Sequence, residues 1–329
     1  MTALLAAVLT VWAAGTQGEL HKAQVLLTNG KTLRGQVEKV EDGYVIHFEA
    51  GPIRLVNEAI KEIVVEGAGF EPTTDEEREM LAKGRIRYKG HWLTKSSYEK
   101  KLKKEDEERA ERLAEIKAHS EFGRAWEEET KNFVYKCNVN TEILDWTVSL
   151  FEDYYKLFTK VLPIPKQKGS KPKVHHFKNA ADYQDWAGMA GTAGYFSSGE
   201  NALNFYYDPM DVGFTTNVML HEGMHLLTHQ INPDFVAPTW INEGLAEYFG
   251  SSMVEKKKRG KGWDITPGQM LDHRLLVMQD FIEQDKFVRL DKLFGKQFGA
   301  YGYTDYAHGW TFVHFLMESA DYSKKFKKY

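Results

Sequence analysis

The sequence predicts an α+β protein that contains a small β-barrel, a charged helical connector and a larger α+β domain, in that order. Three observations predict this class. Apolar residues alternate on both sides of Asn29-Gly30 and Asp42-Gly43, which are strong signals for antiparallel hairpins. Residues 97–131 are highly charged and are typical of one long helix. Beyond them, strand-like and helix-like segments are interleaved, which indicates a mixed domain.

The amino terminus predicts export of the protein. An apolar stretch runs from Ala3 to Ala14, small residues follow it, and cleavage is expected after Gly15 or Gly18. The stretch is too short to remain in a bilayer as a permanent helix. We therefore expect residues 1–18 to be a signal peptide, the mature protein to be periplasmic or extracellular, and no stable membrane span to be present.

The structures of the next two segments are predicted from their local sequence patterns. Residues 19–68 are expected to form the β-barrel, which resembles the SH3-like or Sm-like type; such barrels often serve as adaptors, although a fold alone does not establish a role. Residues 69–131 are the predicted connector, in which Thr73 or Thr74 can cap the first helix. The apolar positions of the connector are too irregular for a coiled coil. The third domain is predicted to occupy residues 132–329.

Composition narrows the classes of function. The chain has 329 residues, of which 42% are hydrophobic and 13% aromatic, so it can bury more than one core. Its net charge of -4 argues against a broad basic surface and therefore against a nucleic-acid partner. Cys137 is the only cysteine, which excludes an intramolecular disulfide and a thiolate metal site.

A predicted apolar helix from Phe214 to Ile231 carries the pattern His-x-x-x-His with a glutamate after the first histidine. These residues are His221, Glu222 and His225. On a helix, the two imidazoles lie on one face, one turn apart, where they can bind a single ion. The pattern is typical of zinc hydrolases.

A zinc hydrolase needs a third protein ligand and an open position for water. His229 stands about 12 Å along the helix axis from His221, too far to share an ion whose ligands lie about 2 Å away. The segment Trp240–Gly250 is predicted to form a second helix running against the first, so that Glu243 can complete a His-His-Glu site. Glu247 lies one turn further along and suits a carboxylate that orients a ligand imidazole through its other nitrogen.

The segments HEGMH and WINEGLAEYF together resemble the gluzincin clan of zinc metallopeptidases. The chain is most similar to the peptidase-MA-like domains of uncharacterised exported bacterial proteins. The resemblance implies a zincin-like, thermolysin-type fold for residues 132–329. It also implies zinc at His221, His225 and Glu243, with Glu222 as general base.

A tyrosine motif extends the resemblance. The segment from Tyr306 to Gly309 resembles the Y-x-x-G segment of aminopeptidase N-like enzymes, in which the tyrosine stabilises the tetrahedral intermediate. A phenol suits this role because it donates a hydrogen bond while remaining neutral. Tyr301 and Tyr303 are close enough in sequence to compete with Tyr306.

The strand before the metal helix borders the cleft in gluzincins and pairs there with extended substrate. This resemblance makes Gly194, Tyr195 and Phe196 a candidate substrate-binding edge. The alternative is a plain sheet strand whose aromatic side chains lie in the core. His175 and His176, on neighbouring strand-like sequence, are expected to be structural rather than ligands.

The function expected from these residues is hydrolysis of a peptide or protein substrate by metal-activated water, with Glu222 transferring the proton to the leaving amine. The expected cofactor is Zn²⁺, although the same ligands also accept cobalt or manganese. The chain lacks the G-x-M-E-N segment of aminopeptidase N-like enzymes, which favours an endopeptidase. The alternative is a catalytically inactive zincin-fold module for binding or scaffolding, with the biological role carried by the β-barrel. The sequence predicts no particular oligomeric state.

Overall fold

The computed structural model of the protein describes residues 20–28, 32–40, 43–48, 51–65, 74–88, 90–162, 164–165, 170–188, 191–234 and 237–328. The predicted signal peptide lies outside these residues, as do the predicted turn residues Asn29-Gly30 and Asp42. A boundary between Asp106 and Glu107 divides the chain into two compact units.

The first unit is built on an antiparallel sheet. Its strands are β1 (Leu20–Leu27), β2 (Thr32–Val40), β3 (Gly43–Phe48), β4 (Gly51–Val56) and β5 (Ile60–Val65). They lie in the order β4-β3-β2-β1-β5, and β1–β2 and β2–β3 pair where the sequence predicts hairpins. The sheet curls because side chains from both of its edge strands pack on one small core, made by Ala23, Val25, Val37 and Ile46.

Short elements follow the curled sheet. They are α1 (Asp75–Ala82), β6 (Arg85–Tyr88), β7 (His91–Thr94) and α2 (Lys95–Ala118). Of the two threonines that the sequence offers as a cap for α1, Thr74 forms a capping box with Glu77. The charged helix α2 ends at Ala118, whereas the sequence predicts it to continue to residue 131.

The second unit contains a mixed sheet. Its strands are β8 (Trp126–Glu129), β9 (Val134–Cys137), β10 (Lys173–Phe177), β11 (Gly194–Ser197) and β12 (Ala202–Tyr206). They lie in the order β11-β12-β10-β9-β8, with the three central strands parallel and both edges antiparallel. The helical prediction for residues 126–129 is therefore wrong. Pairing with β9 overrides the helical preference of three consecutive glutamates, two of which stay exposed at the sheet edge.

Helices cover the mixed sheet and continue beyond it. They are α3 (Thr141–Val161), α4 (Ala180–Ala187), α5 (Val212–Ile231), α6 (Thr239–Gly250), α7 (Asp272–Glu283), α8 (Leu290–Gly295), α9 (Tyr303–Glu318) and α10 (Ser323–Phe326). A hairpin of β13 (Met253–Lys256) and β14 (Trp263–Thr266) follows α6. One core joins α3, α5, α6 and the sheet through side chains that include Phe151, Tyr154, Leu220, Met224 and Phe249. The α+β class predicted from the sequence is thus confirmed.

The start of α5 differs from the sequence prediction. The sequence predicts a helix from Phe214, but α5 begins at Val212, and the carboxylate of Asp211 accepts the Phe214 N–H at 2.8 Å. Thr215 is buried, and its hydroxyl accepts the Asp208 N–H at 2.8 Å. The carboxylate therefore satisfies a free N–H of the first turn and fixes where α5 starts.

Two glycines bring α5, α6 and α9 together. A β-carbon on Gly250 would lie 3.2 Å from the β-carbon of His221 and 3.3 Å from the carbonyl oxygen of Asn217. The end of α6 therefore lies beside the first half of α5, so the two helices run antiparallel, as predicted. A β-carbon on Gly244 would lie 2.5 Å from Val313 and 2.7 Å from a backbone oxygen of α9. The crossing at Gly244 needs glycine because another side chain would separate α6 and α9, whereas the contact at Gly250 is close but less crowded.

None of the helices within the described residues has both the length and the uninterrupted apolar character that crossing a membrane requires.

Candidate metal centre

The helix α5 presents two imidazoles on one face. His221 and His225 are one turn apart, and their ring centroids lie 5.2 Å from each other. The helix can hold them among buried neighbours because Gly223, between them, lets the aromatic rings of α3 approach closely. A β-carbon on Gly223 would lie 2.5 Å from the ring of Phe151. The packing of α3 thus fixes the position of both histidines.

The helix α6 places a carboxylate opposite the two imidazoles. Glu243 is buried, with 3% of its surface exposed. Its Oε2 atom lies 3.7 Å from Nε2 of His221 and 3.7 Å from Nε2 of His225. One potential ligand atom from each of the three residues lies within 4.8 Å of the other two. The structure therefore brings together the three residues that the sequence selects as ligands.

The three side chains fit a zinc ion. In a tetrahedral site with metal–ligand bonds of about 2.0–2.1 Å, neighbouring ligand atoms lie about 3.4 Å apart. The two separations of 3.7 Å from Glu243 are within a few tenths of an ångström of that value. Two imidazoles and a carboxylate are also the donor set found in catalytic zinc sites with an open fourth position.

Other polar groups orient both imidazoles. Oδ1 of Asn242 lies 3.2 Å from Nδ1 of His225, and the Asn242 amide donates to Glu243 at 3.3 Å. Oε1 of Glu247 lies 3.7 Å from Nδ1 of His221. Nδ1 of each ring thus faces a polar group of α6 while Nε2 faces Glu243, which is the arrangement that ligand histidines usually have.

Glu222 lies beside the proposed ligands without replacing one of them. Its Oε1 atom is 4.0 Å from Nε2 of His221. The side chain passes β11 at Gly194, where a β-carbon would lie 3.1 Å from Cγ of Glu222 and 2.6 Å from Val218. A side chain at position 194 would clash with Val218 and crowd the Glu222 side chain. Gly194 therefore has a role that the sequence does not reveal, which is to let β11 approach α5 closely beside Glu222.

The charges in the site depend strongly on one another. Burial lowers the pKa of His221, but the nearby carboxylate of Glu243 and the negative charges of Glu222 and Glu247 outweigh burial and raise it to about 9. Burial raises the pKa of Glu243, while the nearby imidazoles of His221 and His225 outweigh this and hold it well below its usual range. Such a cluster favours a bound cation, because carboxylates surround the imidazoles.

The three tyrosines near α9 differ in position. The pKa of Tyr306 is raised by burial first and then by the charges of Glu243, Glu222 and Glu247. Tyr301 is buried against the Tyr306 ring, with centroids 5.1 Å apart. Tyr303 is 59% exposed. After burial, the charge of Glu243 acts most strongly on the pKa of Tyr306, whereas the charge of Asp305 acts most strongly on the pKa of Tyr301.

The predicted substrate-binding edge lies at the border of the sheet. β11, which holds Gly194, Tyr195 and Phe196, pairs with β12 and has no second partner among the described strands. The Tyr195 ring lies 6.0 Å from the Tyr183 ring, and the Phe196 ring lies 5.2 Å from the ring of His229. His229 therefore packs against β11, away from the ligand cluster, in line with its rejection as a ligand.

The remaining histidines of the sheet make core contacts. Nδ1 of His176 lies 2.8 Å from the Thr147 hydroxyl, and Nδ1 of His175 lies 2.9 Å from the amide oxygen of Asn204. Both histidines are buried, and neither is among the side chains that could share an ion.

Sequence reasoning missed two residues of this site. Asn242 precedes the proposed ligand Glu243, and its position in the segment could have suggested a role. Arg274 lies on α7, and both oxygens of Glu247 accept hydrogen bonds from its guanidinium, at 3.0 and 2.9 Å. No local pattern marks Arg274, because the two residues are far apart in the chain and meet only in the fold.

The fold and site define an α+β protein with a partly buried His-His-Glu cluster suited to a divalent cation. A family model described as "Protein of unknown function (DUF1570)" matches residues 216–327. The match contains the cluster, Arg274 and Tyr306 but not the β11 strand. No curated protein matches the chain.

Proposed function

We propose that the protein is a zinc-dependent peptidase of the gluzincin type, and that its second unit has a zincin-like, thermolysin-type fold. One observation carries this proposal. Two antiparallel helices bring His221, His225 and Glu243 to one point, with Glu222 beside them. The mixed sheet with an antiparallel edge strand next to α5 supports the same fold.

A zinc ion held by the His-His-Glu cluster would lower the pKa of a water molecule and polarise a substrate carbonyl. The protein side chains perform the other steps. Glu222 accepts a proton from the attacking water and delivers it to the leaving amine, so that the peptide bond breaks without a covalent enzyme intermediate. Tyr306 donates a hydrogen bond to the carbonyl oxygen as it gains negative charge.

The substrate we propose is an extended peptide or protein segment, cleaved internally. The free edge of β11 offers backbone groups for pairing with such a chain, and Gly194 brings that edge next to Glu222. Export to the periplasm or the extracellular space remains part of the proposal. The curled sheet of the first unit is proposed to be an SH3-like or Sm-like barrel with an adaptor role.

The test compares Glu222→Gln with the unmodified protein. We expect the variant to bind one zinc ion as the unmodified protein does and to lose turnover of a peptide library, because the amide cannot accept the proton. Glu255→Gln, at an exposed site on β13, is the matched control and should leave cleavage unchanged.

Chelator should abolish cleavage by the unmodified protein, and zinc should restore it. Zinc binding without any cleavage would favour the inactive binding or scaffold module instead. Full activity of Glu222→Gln would contradict the assignment of the general base.

A further inference from the structure

Arg274 joins three parts of the candidate site. Its Nε and one terminal nitrogen donate to the two oxygens of Glu247, at 3.0 and 2.9 Å. Its other terminal nitrogen donates to the Tyr303 carbonyl oxygen at 3.4 Å. Its guanidinium carbon lies 5.0 Å from the centre of the Tyr303 ring and 5.4 Å from the centre of the Tyr306 ring. Both side chains of the Arg274–Glu247 pair are 11% exposed.

The two parallel hydrogen bonds fix the orientation of Glu247. A carboxylate held through both oxygens cannot rotate freely, and Oε1 stays directed at Nδ1 of His221. Without these two hydrogen bonds from Arg274, the Glu247 side chain could adopt other rotamers. It would then be free either to leave His221 or to approach the ion as an additional ligand, which would occupy the position that water needs.

Charge gives Arg274 a second effect. Glu222, Glu243 and Glu247 bring three carboxylates around two imidazoles. A divalent cation balances two of these negative charges, and the guanidinium of Arg274 balances the third. Burying an unpaired carboxylate beside the ligands is unfavourable, so the arginine stabilises the whole set.

The contact with Tyr306 gives a third effect. Cation–π contact with the flat faces of tyrosine rings restricts their rotation. Because the same guanidinium also holds the backbone at Tyr303, it anchors the first turn of α9 against α7 and α6.

We propose that Arg274 is a positioning residue that holds Glu247 as the partner of His221 and aligns Tyr306 over the metal centre. The inference rests on the proposed function in that it assumes a bound zinc ion. It does not require peptide cleavage, because its main measurement is zinc affinity.

The experiment measures the zinc affinity of the full chain by competition with a chromophoric chelator. Arg274→Met removes the positive charge and both hydrogen bonds to Glu247 but keeps a long side chain. We expect this variant to bind zinc about 10- to 100-fold more weakly. Arg274→Lys keeps the charge but cannot make two parallel hydrogen bonds, so we expect a smaller loss. Arg289→Met, at an arginine that is 76% exposed and paired with Asp291, should match the unmodified protein.

A double-mutant cycle separates positioning from a general effect on folding. If Arg274 acts through Glu247, then adding Arg274→Met to Glu247→Gln should cause little further loss of zinc affinity. Circular dichroism of each variant without metal establishes that the folded state is compared in every case. A second cycle, between Arg274→Met and Tyr306→Phe on turnover, should likewise be non-additive.

The outcomes are distinct. Zinc affinity of Arg274→Met within about threefold of the unmodified protein, or additive losses with Glu247→Gln, would overturn the positioning role. If the unmodified chain binds zinc but cleaves no peptide, the peptidase proposal is wrong. The double-mutant cycle of Arg274→Met and Glu247→Gln on zinc affinity then still decides the role of Arg274. An unmodified chain that binds no zinc removes both.

Discussion

Three tyrosines within six positions of one another have different environments. The charge of Glu243 acts on Tyr306, while Tyr301 is buried against the Tyr306 ring and Tyr303 is exposed with its ring beside Arg274. The hydroxyl of Tyr301 has no hydrogen-bond partner among the described residues. It lies close to Gly309, where a β-carbon would be 2.2 Å away. Tyr301 therefore packs against α9 at Gly309, and Tyr306 is the tyrosine that we propose as the donor to the oxyanion.

We expect Tyr306→Phe to lower kcat by roughly 10²- to 10³-fold, because one donor to the developing oxyanion is lost. Zinc affinity should stay unchanged. The measurement is steady-state cleavage of a quenched peptide, with zinc content determined in parallel. Tyr303→Phe keeps the ring over Arg274 and serves as the matched control. A larger loss in Tyr303→Phe or Tyr301→Phe than in Tyr306→Phe would reassign the role.

At the scale of elements, the site depends on how closely helices cross. Gly244 on α6 meets α9 near Gly309, and the two glycines allow backbone contact. Further along the same pair of helices, the Tyr248 hydroxyl donates to Glu318 at 2.5 Å. Because Glu243 is the residue next to Gly244, the crossing also sets the depth at which the Glu243 carboxylate lies.

Gly244→Ala should push α6 and α9 apart. We expect it to lower the free energy of unfolding by about 1–3 kcal/mol, the usual range for overpacking a dense core. Zinc affinity should fall as well, because Glu243 moves with α6. Denaturant unfolding and chelator competition measure the two effects. Gly295→Ala is the control, since a β-carbon there meets no atom within 4 Å. Equal stability of the two variants would contradict this account of the crossing.

The sequence predicts elements well where one pattern dominates. The sequence predicts one helix at Phe214–Ile231 and a second at Trp240–Gly250. In the structure these helices are α5, at Val212–Ile231, and α6, at Thr239–Gly250. Helical spacing then brings His221 and His225 to one face without further information. The prediction fails for β8, whose charged residues look helical in isolation and form a strand only because β9 pairs with them.

Local sequence patterns do not predict contacts between residues whose elements lie far apart in the chain. Arg274 reads as an ordinary residue of an amphipathic helix, and its hydrogen bonds to Glu247 exist only because α7 packs near α6 and α9. Gly194 likewise looks like any strand glycine until α5 lies against it. The sequence therefore predicts the proposed ligands and the orienting carboxylate Glu247, and it misses the roles of Arg274 and Gly194, which depend on how distant elements pack.

At the scale of the whole molecule, buried histidines link stability to pH. His176 is fully buried on β10, and burial lowers its pKa from 6.5 to about 3. Burial lowers the pKa of His175 as well. Between pH 6.5 and pH 3 the unfolded chain takes up a proton on His176 that the folded chain does not. The folded state is therefore favoured above pH 6.5 and loses stability as the pH falls through this range.

We expect His176→Gln to flatten this dependence. Each buried neutral histidine contributes up to about 1.4 kcal/mol of unfolding free energy per pH unit within its window, so the variant should lose a slope of that size. Denaturant unfolding of chelator-treated protein between pH 4.5 and 6 measures it. His91→Gln, at an exposed position of β7, is the control. Parallel pH profiles for His176→Gln and the unmodified chain would refute the linkage.

Cys137 sits on β9 without exposed surface, and burial raises the pKa of its thiol to about 11. The sulfur is therefore neither reachable nor ionised in the native protein, and oxidants or alkylating reagents will leave it intact. Labelling requires the second unit to open. Since the chain has no other cysteine, the speed of its alkylation directly reports how often that unit exposes its interior, without any engineered probe.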